Sequence, residues 1–478
     1  MTHAHHASGA LTAHASPPPR RWSALVLLCL AQFMLIVDIT VVQVALPTIG
    51  TDLGLGRDAL TWVVTAYTLG FGGLMVFGGR LADAFGARRT LLAGLTLFTV
   101  ASLVCGLATG GVMLIAGRAV QGVGAALLSP SALSIITTTF SGRERHRALG
   151  IWAAIGGSGA AVGVLLSGLL TAGPGWEWVF FVNVPVGLFV VLALPVVVPA
   201  HRRDDRREGL DLPGALSVTV ATGLLIYALV HAGDAGWGSA GTLLALAGSL
   251  LGYAAFAWIE SRARNPLMRP STFAQRPVVS GTFLMLIATG LLLGLFFLTS
   301  LYFQHVLGFG ALKTGLLFLP VAIALTLGAQ LAAHLISKIG GRAVAVAGFL
   351  LAAIGAGLLT RIDPGAGVYG DVLPGFLLAA VGIGPIFVTA TTTTLANVAH
   401  AESGVASGVI NTFHELGGSI GVAAVSTVAV ASIGAIAPDT TGFVGGYLLC
   451  AIVAAAAGVI AVGLVPPGKP QAVTGHGH

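Results

Sequence analysis

The sequence has very little charge for its length. Only 8% of its 478 residues are charged, whereas soluble domains carry about 25%. Hydrophobic residues make up 56% of the chain, which is more than a soluble core of this size can keep from water. The scarcity of charge therefore excludes a soluble protein and predicts one that is embedded in a lipid bilayer.

Cysteines and catalytic motifs are scarce as well. Cys29, Cys105 and Cys450 lie in apolar runs, at spacings that fit neither a disulfide framework nor a metal site. The chain has no phosphate-binding loop, nucleophile elbow or zinc-ligand spacing. These absences argue against an enzyme or an ATP-driven pump, and we expect no metal and no cofactor.

The basic residues do not indicate nucleic-acid binding, although the formal net charge is +6. They fall into short clusters between apolar runs, as in the loops of membrane proteins. With the N-terminus inside, nineteen of the 23 basic residues lie on the cytoplasmic side. This bias predicts a multi-pass protein of the inner (plasma) membrane with both termini in the cytoplasm.

The apolar runs divide the chain into two similar parts. About fourteen runs are each long enough for a membrane helix, so we expect an all-α membrane protein with fourteen spans. The predicted divisions are a tail (1–21), a six-helix bundle (22–200), two linker helices with flanking loops (201–276), a second six-helix bundle (277–465) and a second tail (466–478).

An internal repeat relates the two bundles. Residues 53–56 recur as residues 307–310 with an offset of 254, and a second pattern recurs at the same offset. The second pattern pairs Leu81, Gly86, Arg88 and Gly94 with Leu335, Gly340, Arg342 and Gly348. Two matches in one register predict that the second span corresponds to the tenth, in parallel repeats.

Four stretches resemble the major facilitator superfamily, in particular its fourteen-helix drug:proton antiporter branch of the EmrB/QacA type. They are residues 38–47 in the first span, 79–89 after the second, 118–124 in the fourth and 176–187 in the sixth. The resemblance covers roughly residues 22–465 and implies the facilitator fold, with drug export in exchange for protons. The fifth span departs from the pattern, because residues 163–168 lack the proline and one glycine that usually end its antiporter signature.

Asp38 is the first candidate for a proton site. A charge within a span costs at least about 2.5 kcal/mol, so it must face a partner or a watery cavity. Asp38 lies about 12 Å below the outer end of its helix, and Arg118 lies about 9 Å into the fourth span from the same side. The similar depths allow an ion pair. We predict that both residues couple transport to protons; the alternative is a static pair that fixes helix packing.

The second half of the repeat lacks these charges. By the offset of 254, Asp38 aligns with Leu292. Matching the paired glycines of the fourth and twelfth spans aligns Arg118 with Leu378. We therefore predict that proton coupling is concentrated in the N-terminal half.

Glu415 is a second acid within a span, near mid-membrane. Asn411 and Ser419 share its helix face, and such a polar stripe must face protein or water. We predict that Glu415 meets cationic substrates or carries a second proton; the alternative is a protonated acid bonded to a neighbouring helix. The predicted substrate cavity comprises Gln43, Tyr67, Gln121, Phe296, Asn411 and Glu415.

A gate is predicted at the cytoplasmic end of the second span, where Asp83, Arg88 and Arg89 lie. A carboxylate is stabilised near the N-terminus of a facing helix, and the arginines can bridge to neighbouring helices. An ordinary topology-setting loop would explain the arginines but not Asp83. Gly159 and Gly163 permit a close helix contact, which fits either helix sliding during gating or plain packing.

These features predict a proton-coupled exporter of amphipathic or cationic small molecules, such as drugs or antibiotics. A proton symporter or facilitator for a small metabolite is the alternative within transport, because the fifth-span signature is altered. A non-transport membrane scaffold is a third alternative. The expected partners are a hydrophobic or cationic substrate, protons and the lipid bilayer, and we expect a monomer.

Overall fold

The computed structural model is helical throughout the residues that it describes, which are 19–198, 212–263, 275–363, 365, 367–395, 403–433 and 440–467. Helices are expected, because a chain in lipid must satisfy its backbone hydrogen bonds internally. The first bundle contains α1 (Pro19–Leu53), α2 (Arg57–Phe85), α3 (Ala87–Gly106), α4 (Gly111–Thr139), α5 (Gly142–Ala172), the short α6 (Trp178–Phe181) and α7 (Asn183–Val197). The predicted tails, apart from residues 19–21 and 466–467, lie outside the described residues.

The linker and the second bundle follow the same plan. The linker helices are α8 (Leu212–Ala235) and α9 (Ala240–Glu260). The second bundle contains α10 (Arg276–Leu301), α11 (Ala311–Ile339), α12 (Gly341–Leu359), α13 (Leu373–Leu395), α14 (Ser403–Ile433) and α15 (Thr441–Leu464). Two π-helical turns, Tyr302–Val306 and Val368–Val372, follow α10 and precede α13.

Twelve described segments are long and apolar enough to cross a membrane, where the sequence predicts fourteen. One of the twelve runs through α6 and α7 together. The two long helices outside this set are α5 and α14, which have 31 residues each. Both exceed the length that a span needs, which is about 20 residues.

The two bundles meet mainly through two helix pairs, with smaller contacts of α4 with α14 and of α5 with α13. α2 packs against α14, and α5 packs against α11. The linker helix α8 packs against both α2 and α14, and α9 packs on α8. The linker thus covers one seam between the bundles.

The repeat is visible in the backbone. Gly86, between α2 and α3, has φ +92°, and Gly340, between α11 and α12, has φ +86°. Gly54 and Gly308 likewise have φ values of +63° and +66°. A left-handed backbone at these turns favours glycine, so the same residue type recurs where the same turn recurs. The predicted correspondence between the second and tenth spans is confirmed.

The predicted alignment of Arg118 with Leu378 is wrong. Gly124 contacts Gly94 and Phe98 on α3, whereas the contacts of Gly382 on α12 lie 254 residues further on, at Gly348 and Ala352. Gly382 is therefore the counterpart of Gly124, and the offset in this helix is 258. Aligning two glycine pairs by sequence alone had shifted the register by two residues.

With the corrected register, Phe376 takes the place of Arg118. It is fully buried and packs edge-to-face against Phe296 and Phe318, at centroid distances of 5.2 and 5.9 Å. The second bundle has an aromatic cluster where the first has a charge. The inference that the second half lacks the basic residue therefore holds.

Candidate functional site

A buried ion pair lies inside the first bundle. Oδ2 of Asp38 on α1 is 2.6 Å from Nη1 of Arg118 on α4. The exposed fraction is 0% for Asp38 and 1% for Arg118. The two residues, which lie at similar depths in their helices, are therefore in direct contact. Two charges taken out of water need further hydrogen bonds to offset their desolvation.

Three more polar side chains and one backbone carbonyl extend this network. Nδ2 of Asn183 donates to Oδ1 of Asp38 at 2.8 Å, and Nε2 of Gln121 donates to the same oxygen at 3.2 Å. Gln121 also donates to the hydroxyl of Ser102 and accepts from Nη1 of Arg118. Nε of Arg118 donates to the backbone carbonyl of Val63 on α2 at 3.2 Å. The network thus joins α1, α2, α3, α4 and α7.

Tyr67 belongs to this buried site and does not line the cavity, contrary to prediction. Its ring centroid lies 4.2 Å from the guanidinium carbon of Arg118, and its side chain is 1% exposed. A cation over an aromatic face is stabilised by the ring quadrupole. The ring of Tyr67 also packs against the ring of Phe71, at 5.6 Å between centroids. Gln121, predicted in the cavity, is also fully buried in the network.

A cavity lies between the two bundles, beyond Phe71. Both bundles contribute its walls. Its lining consists of Gln32, Ile36, Phe71, Met75, Ser129, Leu133 and Trp152 from the first bundle, and Met285, Leu292, Phe387, Thr391, Ile410, Asn411, His414 and Glu415 from the second. Aromatic and aliphatic walls with a few convergent polar groups are typical of small-molecule sites.

Glu415 and Asn411 line this cavity, as the polar stripe on α14 predicts. The side chain of Glu415 is 19% exposed, and one of its oxygens lies 3.3 Å from Nδ1 of His414. From sequence, a helical turn of 100° per residue separates the two side chains, yet they meet at the cavity wall. Nδ2 of Asn411 donates to the hydroxyl of Ser129 on α4, which bridges the bundles at 3.2 Å.

Two other predicted cavity residues have different outcomes. Phe296 is wrong as a cavity residue, because it is buried in the aromatic cluster, 4.6 Å from the ring of Phe318. Gln43 lies in α1, but its side chain is outside the part of the chain that the structure describes.

The predicted gate contains a hydrogen bond between the bundles. Oδ2 of Asp83, at the end of α2, accepts a hydrogen bond from the backbone N–H of Val405 in the first turn of α14, at 2.9 Å. This is the expected pairing of a carboxylate with a helix N-terminus. Arg88 donates to the carbonyl of Pro195 within the first bundle, and Arg89 is exposed.

A second contact at the same end is not predicted from the sequence. Nη2 of Arg145, in the first turn of α5, donates to the carbonyl of Leu395, the last residue of α13, at 2.8 Å. Basic groups are favourable at helix C-termini, as acids are at N-termini. A cluster of three arginines before a span had indicated only topology. The two bundles are thus joined by charged groups at the predicted cytoplasmic end.

The two glycines of α5 mark its closest approach to α1. A Cβ at Gly159 would meet the side chain of Ile36 at 2.7 Å, and one at Gly163 would collide with the hydroxyl of Thr40. Thr40 and Ile36 flank Asp38, so this contact positions the helix that carries the acid. The expected close contact is present, and its part in gating stays a prediction.

Comparison with known proteins agrees with this architecture. The family model described as Major Facilitator Superfamily matches residues 28–422. A puromycin resistance protein of Streptomyces alboniger is 40% identical over 428 residues, which are 88% of this chain and 84% of the relative. A cephamycin export protein of Amycolatopsis lactamdurans is 39% identical and covers 85% and 84% of the two chains.

A solved structure shares the fold. A proton:xylose symporter bound to 6-bromo-6-deoxy-D-glucose superposes with a TM-score of 0.68 at 16% identity, over 95% of this chain and 97% of the symporter. With the family match, this defines the class as a membrane transporter made of two helical bundles. The chain belongs to the Major Facilitator Superfamily.

Proposed function

We propose that this protein exports amphipathic or cationic small molecules from the cell in exchange for protons. Relatives named for puromycin resistance and cephamycin export, at 40% and 39% identity, support the export of antibiotic-like compounds. The cavity between the bundles, with aromatic walls and the acid Glu415, fits an amphipathic substrate that carries positive charge.

The buried pair of Asp38 and Arg118 is the observation that carries the proton part of the proposal. A carboxylate that is 0% exposed and bonded to a guanidinium is costly to retain in a membrane span unless it has a function. Protonation of Asp38 would neutralise it and weaken its attraction to Arg118. Because the network joins five helices, loss of that attraction would loosen their packing and favour the alternate conformation.

Proton release would restore the pair and the original conformation. One transport cycle would then exchange a proton on Asp38 for a substrate in the cavity. The cavity and the pair do not overlap, so substrate and proton would compete through conformation rather than for the same atoms. Because the substrate would not need to touch Asp38, this arrangement would accept substrates of varied shape.

We further propose the topology of the fourteen-helix branch. α5 and α14 are each 31 residues long and pack among the apolar spans, which supports counting both as spans. The arginine bias supports cytoplasmic termini in the plasma membrane. Nothing in the proposed cycle needs a second copy, so we expect the monomer to be active.

The proposal is tested by drug susceptibility in a host without its own efflux pumps. Expression should raise resistance to puromycin and to the cationic dye ethidium, and a protonophore should abolish dye efflux. The Asp38→Asn variant, expressed at the same level, is the matched control. Unchanged resistance to every compound, or export that survives the protonophore, would contradict proton-driven efflux.

A further inference from the structure

Asn183 is in direct contact with the proposed proton site. It is the first residue of α7 and is 1% exposed. Its Nδ2 lies 2.8 Å from Oδ1 of Asp38, which is shorter than the 3.2 Å from Nε2 of Gln121 to the same oxygen. Asn183 is therefore the closer of the two neutral donors to the carboxylate.

The two amides are not equivalent. Gln121 also donates to Ser102 and accepts from Arg118, so its orientation is fixed by groups other than Asp38. The amide of Asn183 has no second side-chain hydrogen bond among the contacts of the described residues. An amide carries both donors and an acceptor, so rotation would let Asn183 donate to a carboxylate or accept from a protonated acid.

We infer that Asn183 is a positioning residue that sets the pH at which Asp38 exchanges its proton. This inference rests on the proposed role of Asp38 in coupling. A hydrogen bond to the charged form of an acid stabilises that form, and the Asn183 amide donates directly to the carboxylate of Asp38. Movement of α7 away from α1 would break the bond and make Asp38 easier to protonate.

The other groups that face Asp38 do not replace this role. The described titratable groups around it are Arg118 on α4, Tyr67 on α2 and Cys105 on α3. Arg118 supplies the positive charge, and the hydroxyl of Tyr67 has no hydrogen-bond partner among the side chains that the structure describes. On α5, Gly159 and Gly163 lie against the turns of α1 on either side of Asp38. Of the described groups that donate to Asp38, only the amides of Asn183 and Gln121 can move away without taking a charge from the site.

Infrared spectroscopy of the purified protein tests the inference without a substrate. The carboxylic acid C=O band of Asp38 is identified as the band that is lost in Asp38→Asn, and its intensity is followed against pH. In Asn183→Leu, which has a similar shape but no donor, the midpoint should move to higher pH by about one unit or more. Asn183→Ser, with a shorter donor, should move it less in the same direction.

Gln304→Leu is the matched control, because it removes an amide that belongs neither to the network nor to the cavity lining and should leave the midpoint in place. An unchanged or lower midpoint in both Asn183 variants would overturn the inference, as would an equal shift in Gln304→Leu. If the Asp38 band titrates in the wild type but ignores Asn183, only this inference fails. If no variant shows the band at any pH, Asp38 takes up no proton and the proposed function fails with it.

Discussion

The ring of Tyr67 lies 4.2 Å from the guanidinium carbon of Arg118, the basic partner in the buried ion pair. Phe71, which packs on Tyr67, lines the cavity directly. Two aromatic contacts therefore connect the proposed proton site to the cavity. A substrate at Phe71 that moves these rings, or the helices that carry them, would affect the surroundings of Asp38. Coupling in this protein is therefore expected to be conformational.

The two bundles should respond differently to loss of equivalent residues. Arg118→Leu should abolish export and lower stability, because one charge left buried without its partner costs about 3–5 kcal/mol. Phe376→Leu, at the corrected equivalent position, should keep most export, since it loses only aromatic contacts worth about 0.5–1.5 kcal/mol. Dye efflux and thermal unfolding of both variants measure this. Equal loss of export at the two positions would contradict coupling in one half.

Removal of both charges separates stability from function. The double variant Asp38→Leu, Arg118→Leu should recover much of the stability that Arg118→Leu loses, because no unpaired charge remains. It should stay inactive in proton-driven export. Thermal unfolding and transport in the same preparations give the comparison. Export by this double variant against a gradient would show that the pair is only structural.

Glu415 should discriminate between substrates by charge. Glu415→Gln keeps the shape and hydrogen-bonding capacity of the neutral acid but cannot carry charge. Resistance to cationic compounds should fall several-fold, while resistance to neutral ones stays near wild type. The measurement is a set of inhibitory concentrations for cationic and neutral compounds. Unchanged resistance to both classes would favour a structural role for the acid.

The contact between Asp83 and Val405 should control the rate of alternation. Asp83→Asn keeps an acceptor but removes the charge, which weakens a charged hydrogen bond worth about 1.5–3 kcal/mol across the two bundles, so turnover should fall while substrate affinity stays near wild type. Arg89→Gln, a change at an exposed residue in the first turn of α3, is the control and should have little effect. Binding by fluorescence and initial rates of efflux separate these outcomes. Loss of binding in a folded Asp83→Asn variant would argue against a gate.

The contact between α5 and α1 offers a stability test. Gly163→Ala places a methyl group against Thr40, and overpacking of this kind costs about 1–3 kcal/mol. A second change, Thr40→Ala, removes the hydroxyl and should recover part of the loss. Thermal unfolding measures both. If the double variant recovers stability but not turnover, the contact serves gating as well as packing.

Periodicity and charge were enough to predict much of this molecule. The depths of Asp38 and Arg118 in their helices allowed an ion pair, because helical rise is regular and an isolated charge in lipid needs a partner or a watery cavity. Gly86 and Gly340 revealed the repeat, since a left-handed turn selects glycine in both halves. The Asp83 contact followed from the attraction between a carboxylate and a helix N-terminus.

The failures depend on packing that sequence does not encode locally. Tyr67 and Phe296 were assigned to the cavity as aromatics in spans, but each faces its own bundle. Asn183 and Gln121 meet Asp38 only because α7 and α4 converge on α1, at positions 145 and 83 residues away in sequence. The span count also depends on α5 and α14, whose polar and glycine residues weaken the apolar signal by which spans are recognised.

Proton movement by the purified protein tests the central claim most directly. In proteoliposomes that contain a pH-sensitive dye, a substrate gradient should drive proton movement in the opposite direction through the wild type. Asp38→Asn should move no protons while still exchanging substrate across the membrane without a gradient. Substrate-driven proton flux through Asp38→Asn at the wild-type rate would contradict the account.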